Sequence, residues 1–158
     1  YAPATRIYIQ FNNRFWENES LNGWGNTDLP EEIWQPSWDM TGSTGVLMSY
    51  LRWSAAEDMD TLDEGGRNNA VLNRWENIFE GSINNFDKGV SKSWMLDEWS
   101  RGAWASPTTS QNETLSESIA LTEGRIHFAG EHASNDRGWM QGALFSGLRA
   151  ATEIKNAN

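Results

Sequence analysis

The stretch Arg125-Ile-His-Phe-Ala-Gly-Glu131-His132, followed by Gly138-Trp-Met-Gln-Gly-Ala143 and Ser146-Gly-Leu-Arg-Ala-Ala151, decides how this chain is read. Ile126 to Ala129 reads as a buried strand and Ala129-Gly130-Glu131 as a tight turn. Trp139 to Lys155 reads as the closing helix. Small residues recur at Gly138, Gly142, Ser146 and Ala150, and again at Ala143, Gly147 and Ala151. Both rows have four-residue spacing, so each runs along one helix face. A glycine inside a helix costs roughly 1 kcal/mol against alanine, so its presence calls for something packed on the backbone. Two readings meet that demand: tight helix packing, or a ligand at the helix start, where free N–H groups and the dipole favour electron-rich oxygens.

Upstream, Arg6-Ile-Tyr-Ile-Gln-Phe11 alternates, with Ile7, Ile9 and Phe11 on one face of a half-buried strand. Ile33-Trp-Gln-Pro36 is a short extended piece, because the residue before proline avoids the helical region. Val46 to Leu51 is a second strand. Ala55 to Leu62 predicts a short helix. Asn68 to Phe79 predicts a longer one, with Val71, Leu72, Trp75, Ile78 and Phe79 on its apolar face and Gly81 as its stop. Ser93 to Leu96 reads as a strand, Asp97 to Ser110 as irregular, and Leu115 to Leu121 as one helical turn.

Composition bounds the function. The 158 residues are 38% hydrophobic and 22% charged, enough for one domain with a core. A net charge of −10 repels phosphate backbones and argues against nucleic acid as a partner. Ten tryptophans suit a core or a pocket for flat or apolar ligands. The absence of cysteine excludes disulfides, thiolate catalysis and thiolate-held metals. No apolar run approaches the roughly 20 residues of a membrane span, and no membrane partner is expected. His127, Glu131 and His132 match no zinc-protease spacing, so no metal is expected. Gly23-Trp-Gly25 and Gly42-Ser-Thr-Gly45 complete no dinucleotide fingerprint. Sequons at Asn18 and Asn112 leave a secreted origin open, and Tyr1-Ala-Pro-Ala reads as the start of a piece of something longer.

With these residues read, a resemblance emerges. Thr5-Arg-Ile-Tyr-Ile9, Arg14-Phe-Trp-Glu17, Thr27-Asp-Leu-Pro30 with Trp34 and Pro36, Ser93-Trp94, Ser100-Arg-Gly-Ala-Trp104, Arg125 to Glu131 and Gly138 to Ala151 occur in order along nearly the whole chain. Together they resemble the C-terminal third of flavin-dependent L-amino-acid oxidases, within the amine-oxidase family. The resemblance implies an α/β (α+β) fold, the C-terminal part of a two-domain FAD amine-oxidase. Residues 1–92 would join a mixed-sheet substrate-binding domain and residues 93–158 the FAD-binding domain. Gly130 and Glu131 would contact the ribityl or phosphate region of FAD. The backbone of Gly138, Trp139, Met140 and Gln141 would face the pyrimidine side of the flavin, and Trp94 would pack near its ring. Trp104 and Trp139 would form an aromatic cage that positions substrate, and Trp34 would be a pocket aromatic. Tryptophan in place of the tyrosine common in the cage narrows the pocket. Ala103 stands where monoamine oxidases carry a flavin-linked cysteine, so FAD would be held non-covalently.

The implied reaction is hydride transfer from the substrate Cα to the flavin. O2 then gives hydrogen peroxide, and water releases the 2-oxo acid and ammonia. The family's dinucleotide fingerprint and carboxylate-binding arginine are not in this stretch. The chain is therefore expected to be inactive alone, paired with N-terminal chains of the same enzyme in a dimer of proteolytically processed protomers. Alternatives are a flavin amino-acid 2-monooxygenase or an amine or polyamine oxidase of the same family and, in another class, a non-enzymatic tryptophan-rich binding module.

Overall fold

The computed structural model describes residues 1–29 and 31–157, so Pro30 of the Thr27–Pro30 motif lies outside the described residues. The chain divides into two compact units. A sheet unit spans Pro3–Arg101, and a helical unit joins Tyr1–Ala2 to Gly102–Asn158. The strand Phe86–Ser93 and the residues after it to Arg101 lie in the sheet unit.

The sheet unit holds β1 (Ala4–Phe11), β2 (Gly25–Asn26), β3 (Glu31–Trp34), β4 (Gly45–Arg52) and β5 (Phe86–Ser93), with helices α1 (Ser54–Asp60) and α2 (Glu64–Trp75). The strands form one antiparallel sheet in the order β2-β3-β4-β1-β5. Strict alternation makes β1 and β4 two-faced. Ile7, Ile9 and Phe11 of β1 share the inner face with Leu47 and Leu51 of β4 and Ile33 of β3, and all are buried. Ala55, Ala56 and Met59 of α1 and Val71, Leu72 and Trp75 of α2 complete that core. Phe15 and Trp16 close one end in a single 3-10 turn, with ring centroids 5.2 and 5.6 Å from Phe11 in edge-on contact. Each such large side chain contributes about 1.5–3 kcal/mol by leaving water.

One buried charge sits in this apolar face. Glu31 accepts from Ser49 Oγ, from Thr27 Oγ1 at 3.1 Å and from Arg74 Nη2 of α2 at 3.2 Å, so its carboxylate is fully partnered. Helix α2 begins four residues before the start expected at Asn68 because Asp63 caps it, its side chain accepting from Gly66 N–H at 2.7 Å. It ends at Trp75, which leaves Ile78 outside the helix and 42% exposed.

Two strand expectations are corrected. The strand near residue 93 is β5, which ends at Ser93 rather than starting there. It pairs along β1 from Thr5↔Ser93 to Phe11↔Phe86, and as an edge strand it is written in lysine, serine and glycine with little apolar alternation. Ile126 to Ala129 forms no strand. Only the Glu123↔Ile126 bridge exists there, and Ile126 is 59% exposed. A strand needs a neighbour for its N–H and C=O groups, and among the described residues none lies beside this run.

The helical unit holds α3 (Thr109–Leu115) and α4 (Met140–Asn156). The helical turn expected at 115–121 is displaced: α3 starts at a capping box formed by Thr108 and Gln111 and ends at Leu115, and residues 116–120 are turn. Helix α4 falls where its sequence predicts. No helix among the described residues is long and apolar enough to cross a membrane.

Candidate functional site

The two rows of small residues on α4 prove unlike. Gly142, Ser146 and Ala150 are buried, whereas Ala143 and Ala151 are exposed. A Cβ on Gly142 would stand 2.1 Å from the Asp136 carbonyl oxygen, so helix and loop approach there as only glycine allows. Ser146 Oγ accepts from Gly130 N–H at 2.9 Å and donates to the Ala143 carbonyl. The first row is therefore helix-to-loop packing. The second leaves a smooth strip, where a Cβ on Gly147 would meet nothing within 4 Å.

Arg149 of α4 donates to the carbonyls of Ala120 at 3.0 Å and Phe128 at 2.7 Å. This holds the segment that was expected to be a strand. Beside it, His127 Nδ1 lies 3.1 Å from Glu153 Oε2, and Arg149 reaches Glu153 Oε1 at 2.7 Å. The bonds from His127 and Arg149 hold the Glu153 carboxyl below its ordinary range.

At the head of α4 the chain turns sharply. Gly138 has φ +76°, and the Cβ it lacks would lie 3.3 Å from Trp104 Cδ1, so the Trp104 ring rests against this glycine. The segment of Trp104 is anchored in turn by two backbone bonds to Ala2, one at the Trp104 carbonyl and one from Ala103 N–H. Glu131 stands between these segments. Its Oε1 accepts from Ala105 N–H at 2.8 Å and its Oε2 from Gly138 N–H at 2.6 Å. Trp139 precedes the helix at 67% exposure, and Met140 opens it at 80%. Trp139 gives no side-chain cap, so the first-turn N–H groups at Met140 and Gln141 face outward uncapped.

Glu131 and Gly138 are thus hydrogen-bonded in the helical unit, with Trp104 packed on Gly138 and Gly130, Trp139, Met140 and Gln141 beside them in the chain. Trp34 and Trp94 belong to the sheet unit, where β4 and β1 stand between their strands. Trp94 follows β5, and Lys92 Nζ lies 5.3 Å from its ring centroid. Lys92 also pairs with Asp97, which its hydrogen bond, aided by Ser100, holds well below the usual carboxylate range. Trp34 ends β3, and its Nε1 donates to Glu32 Oε2 at 3.0 Å. Glu32 Oε1 takes Arg52 Nη2 at 2.6 Å. Trp24, which the sequence did not single out, lies with its ring centroid 5.2 Å from that of Trp34. The register Gly25↔Ile33 brings the two rings together, and such pairing is invisible in a lone Gly-Trp-Gly. Among the described residues no group of three His, Cys, Asp or Glu side chains could hold a metal ion.

Residues 1–155 match the family described as flavin containing amine oxidoreductase. The chain belongs to this family. Among relatives of the flavin amine oxidoreductases, it is 38% identical over 98% of its length to YobN of Bacillus subtilis (strain 168), whose name marks it a provisional L-amino-acid oxidase. It is 32% identical over its whole length to an L-amino-acid oxidase of Naja atra and 35% identical over 98% to one of Siganus canaliculatus. It spans about a third of each: 33%, 32% and 30%. In fold it is similar to a cofactor-binding redesign of putrescine oxidase (TM-score 0.85, 19% identity) and to cyclohexylamine oxidase from Brevibacterium oxydans IH-35A (0.83, 18%). The match covers 98% and 99% of this chain and 35% of each structure.

Membership in the flavin amine oxidoreductases implies FAD, and the residues present fit it. A bare strip at Ala143, Gly147 and Ala151 admits a close partner. An uncapped helix start offers N–H groups and the positive dipole end to electron-rich atoms. Glu131 gives two of about four lone-pair directions to backbone amides, which leaves acceptor capacity for a sugar hydroxyl.

Proposed function

We propose that this chain is the C-terminal part of an FAD-dependent L-amino-acid oxidase. In this reading the sheet unit belongs to the substrate-binding domain and the helical unit to the FAD-binding domain. The observation that carries it is the Glu131 constellation. One carboxylate ties the segments of Trp104 and Trp139 together at the uncapped head of α4, in a chain whose relatives from three sources bear L-amino-acid oxidase names.

When bound, FAD supplies the redox chemistry that turns an L-amino acid, O2 and water into a 2-oxo acid, ammonia and hydrogen peroxide. The chain's own residues bind and orient. Trp104 and Trp139 offer aromatic faces that hold an amine or an apolar side chain beside the reacting carbon. Large rings there also keep water from the site. The first-turn amides of α4 stabilise negative charge at the position they face, without reorganising during the reaction. Trp34, with Trp24 against it, serves the substrate side chain. Trp94 packs near the flavin ring, and FAD is held non-covalently. The remaining two thirds of the relatives' length supplies the dinucleotide-binding motif and the arginine that takes the substrate carboxylate. It is delivered as N-terminal chains in a dimer of processed protomers.

The test is a visible absorption spectrum of the native particle carrying this chain, with intact masses of its polypeptides and turnover of a panel of L-amino acids and amines. Flavin absorption, a larger companion chain and peroxide from L-amino acids support the reading. Turnover of amines alone moves it to the amine-oxidase branch, and an amide product moves it to the monooxygenases. A colourless particle of this polypeptide alone sinks it and leaves a tryptophan-rich binding module.

A further inference from the structure

Each amide that Glu131 holds is the chain neighbour of a cage tryptophan: Ala105 follows Trp104, and Gly138 precedes Trp139. Both bonds are short, at 2.8 and 2.6 Å, and both are charge-assisted, which makes them roughly twice as strong as neutral ones. The Trp104 ring also leans on Gly138 itself, so any shift at Gly138 moves both aromatics. We infer that Glu131 is a positioning residue that sets the separation and facing of Trp104 and Trp139. Its carboxylate thereby governs how tightly the pocket grips substrate, beyond any contact it makes with the cofactor. The inference rests on the function proposed above.

The carboxylate is essential to this device, because it presents two acceptor oxygens to two donors that converge from different segments. A glutamine of the same shape keeps one acceptor and turns an NH2 group toward the other N–H, so one tie becomes a donor facing a donor. Glu131→Gln therefore loosens one aromatic while leaving bulk and packing in place. Gly138→Ala perturbs the same geometry from the other side, through a Cβ that crowds Trp104 and a φ of +76° that alanine tolerates poorly.

The experiment uses the intact flavoprotein and its best-turned-over L-amino acid, with flavin content and near-UV circular dichroism measured alongside kinetics. Expected for Glu131→Gln is parental flavin content, an altered tryptophan near-UV signal, and a KM raised at least about tenfold while kcat falls by less. Gly138→Ala should show the same split. Two results would overturn the inference: flavin loss with a KM that returns to parental at saturating FAD, which marks a cofactor contact only, or an unchanged KM with full flavin. If Glu131→Gln does not fold, the KM of Gly138→Ala decides in the same way. A colourless parent defeats the proposed function and with it the grip on substrate, and leaves the positioning of the two tryptophans to be tested separately. The near-UV signal then decides: the part of it removed by Trp104→Phe and Trp139→Phe must also change in Glu131→Gln, and an unchanged signal overturns the positioning role.

Discussion

Gly142 and Gly147 lie five positions apart on one helix, and Gly142→Ala should act against its own propensity. In an open helix this change stabilises by about 0.5–1 kcal/mol, because alanine has less backbone freedom to lose. At Gly142 the new Cβ would start 2.1 Å from the Asp136 carbonyl oxygen and 2.9 Å from its carbon, both backbone atoms that cannot swing aside. The loop must retreat by about 1.3 Å to reach ordinary contact, and overpacking of this kind costs roughly 1–3 kcal/mol. Asp136 is two residues from Gly138, so the retreat also strains the 2.6 Å bond to Glu131, a charge-assisted bond of about 1.5–3 kcal/mol. Net destabilisation should be about 2 kcal/mol or more despite the better helix former. The assay is a urea titration of the flavoprotein followed by circular dichroism, with KM for the preferred amino acid measured in parallel. Loss of stability with a raised KM is expected. A midpoint equal to or above the parent's would refute the close-packing argument.

Three further outcomes are expected. Arg74→Met leaves the buried Glu31 carboxylate without its cation and should cost about 3–5 kcal/mol in urea unfolding, with most of the loss recovered when Glu31→Gln is added. Trp24→Leu removes the ring packed on Trp34, so KM should rise for amino acids with large side chains and change little for small ones; equal changes across the panel would disconnect the pair from specificity. The Glu153 carboxyl is held below its ordinary value of 4.5, so the stability it contributes is present above that value and lost as pH falls through its lower folded value. Glu153→Gln should flatten this acid limb of a urea-midpoint against pH profile, and an unchanged limb would remove the His127–Glu153–Arg149 contact as its source.

What the sequence disclosed follows from which signals are local. β1 and β4 were legible because Ile7, Ile9, Phe11, Leu47 and Leu51 alternate against a one-sided core. β5 was hidden because it is held by backbone pairing to β1 while its side chains read Asp87, Lys88, Gly89 and Ser91. Ile126 to Ala129 failed in the opposite sense. Its apolar run has the composition of a buried strand, but ladder bonds are a property of two segments, and Arg149 takes the place of a neighbouring strand at Phe128.

The site divides along the same line. Motif position pointed to Trp104, Gly130, Glu131, Gly138 and Trp139; in the folded chain Glu131 accepts from Gly138 and from Ala105, the neighbour of Trp104, while Gly130 donates instead to Ser146. Spacing alone could not separate the two rows of small residues on α4, because both obey a four-residue period. Only the direction of Asp136 distinguishes the row that packs from the row left bare. Nor could spacing reveal that Glu131 faces two amides, since Ala105 and Gly138 come from distant points of the chain. The consequence is chemical. A carboxylate read from its motif alone is a cofactor contact that any strong acceptor could replace. A carboxylate between two amide donors is a geometric constraint, which its closest isostere, glutamine, cannot meet.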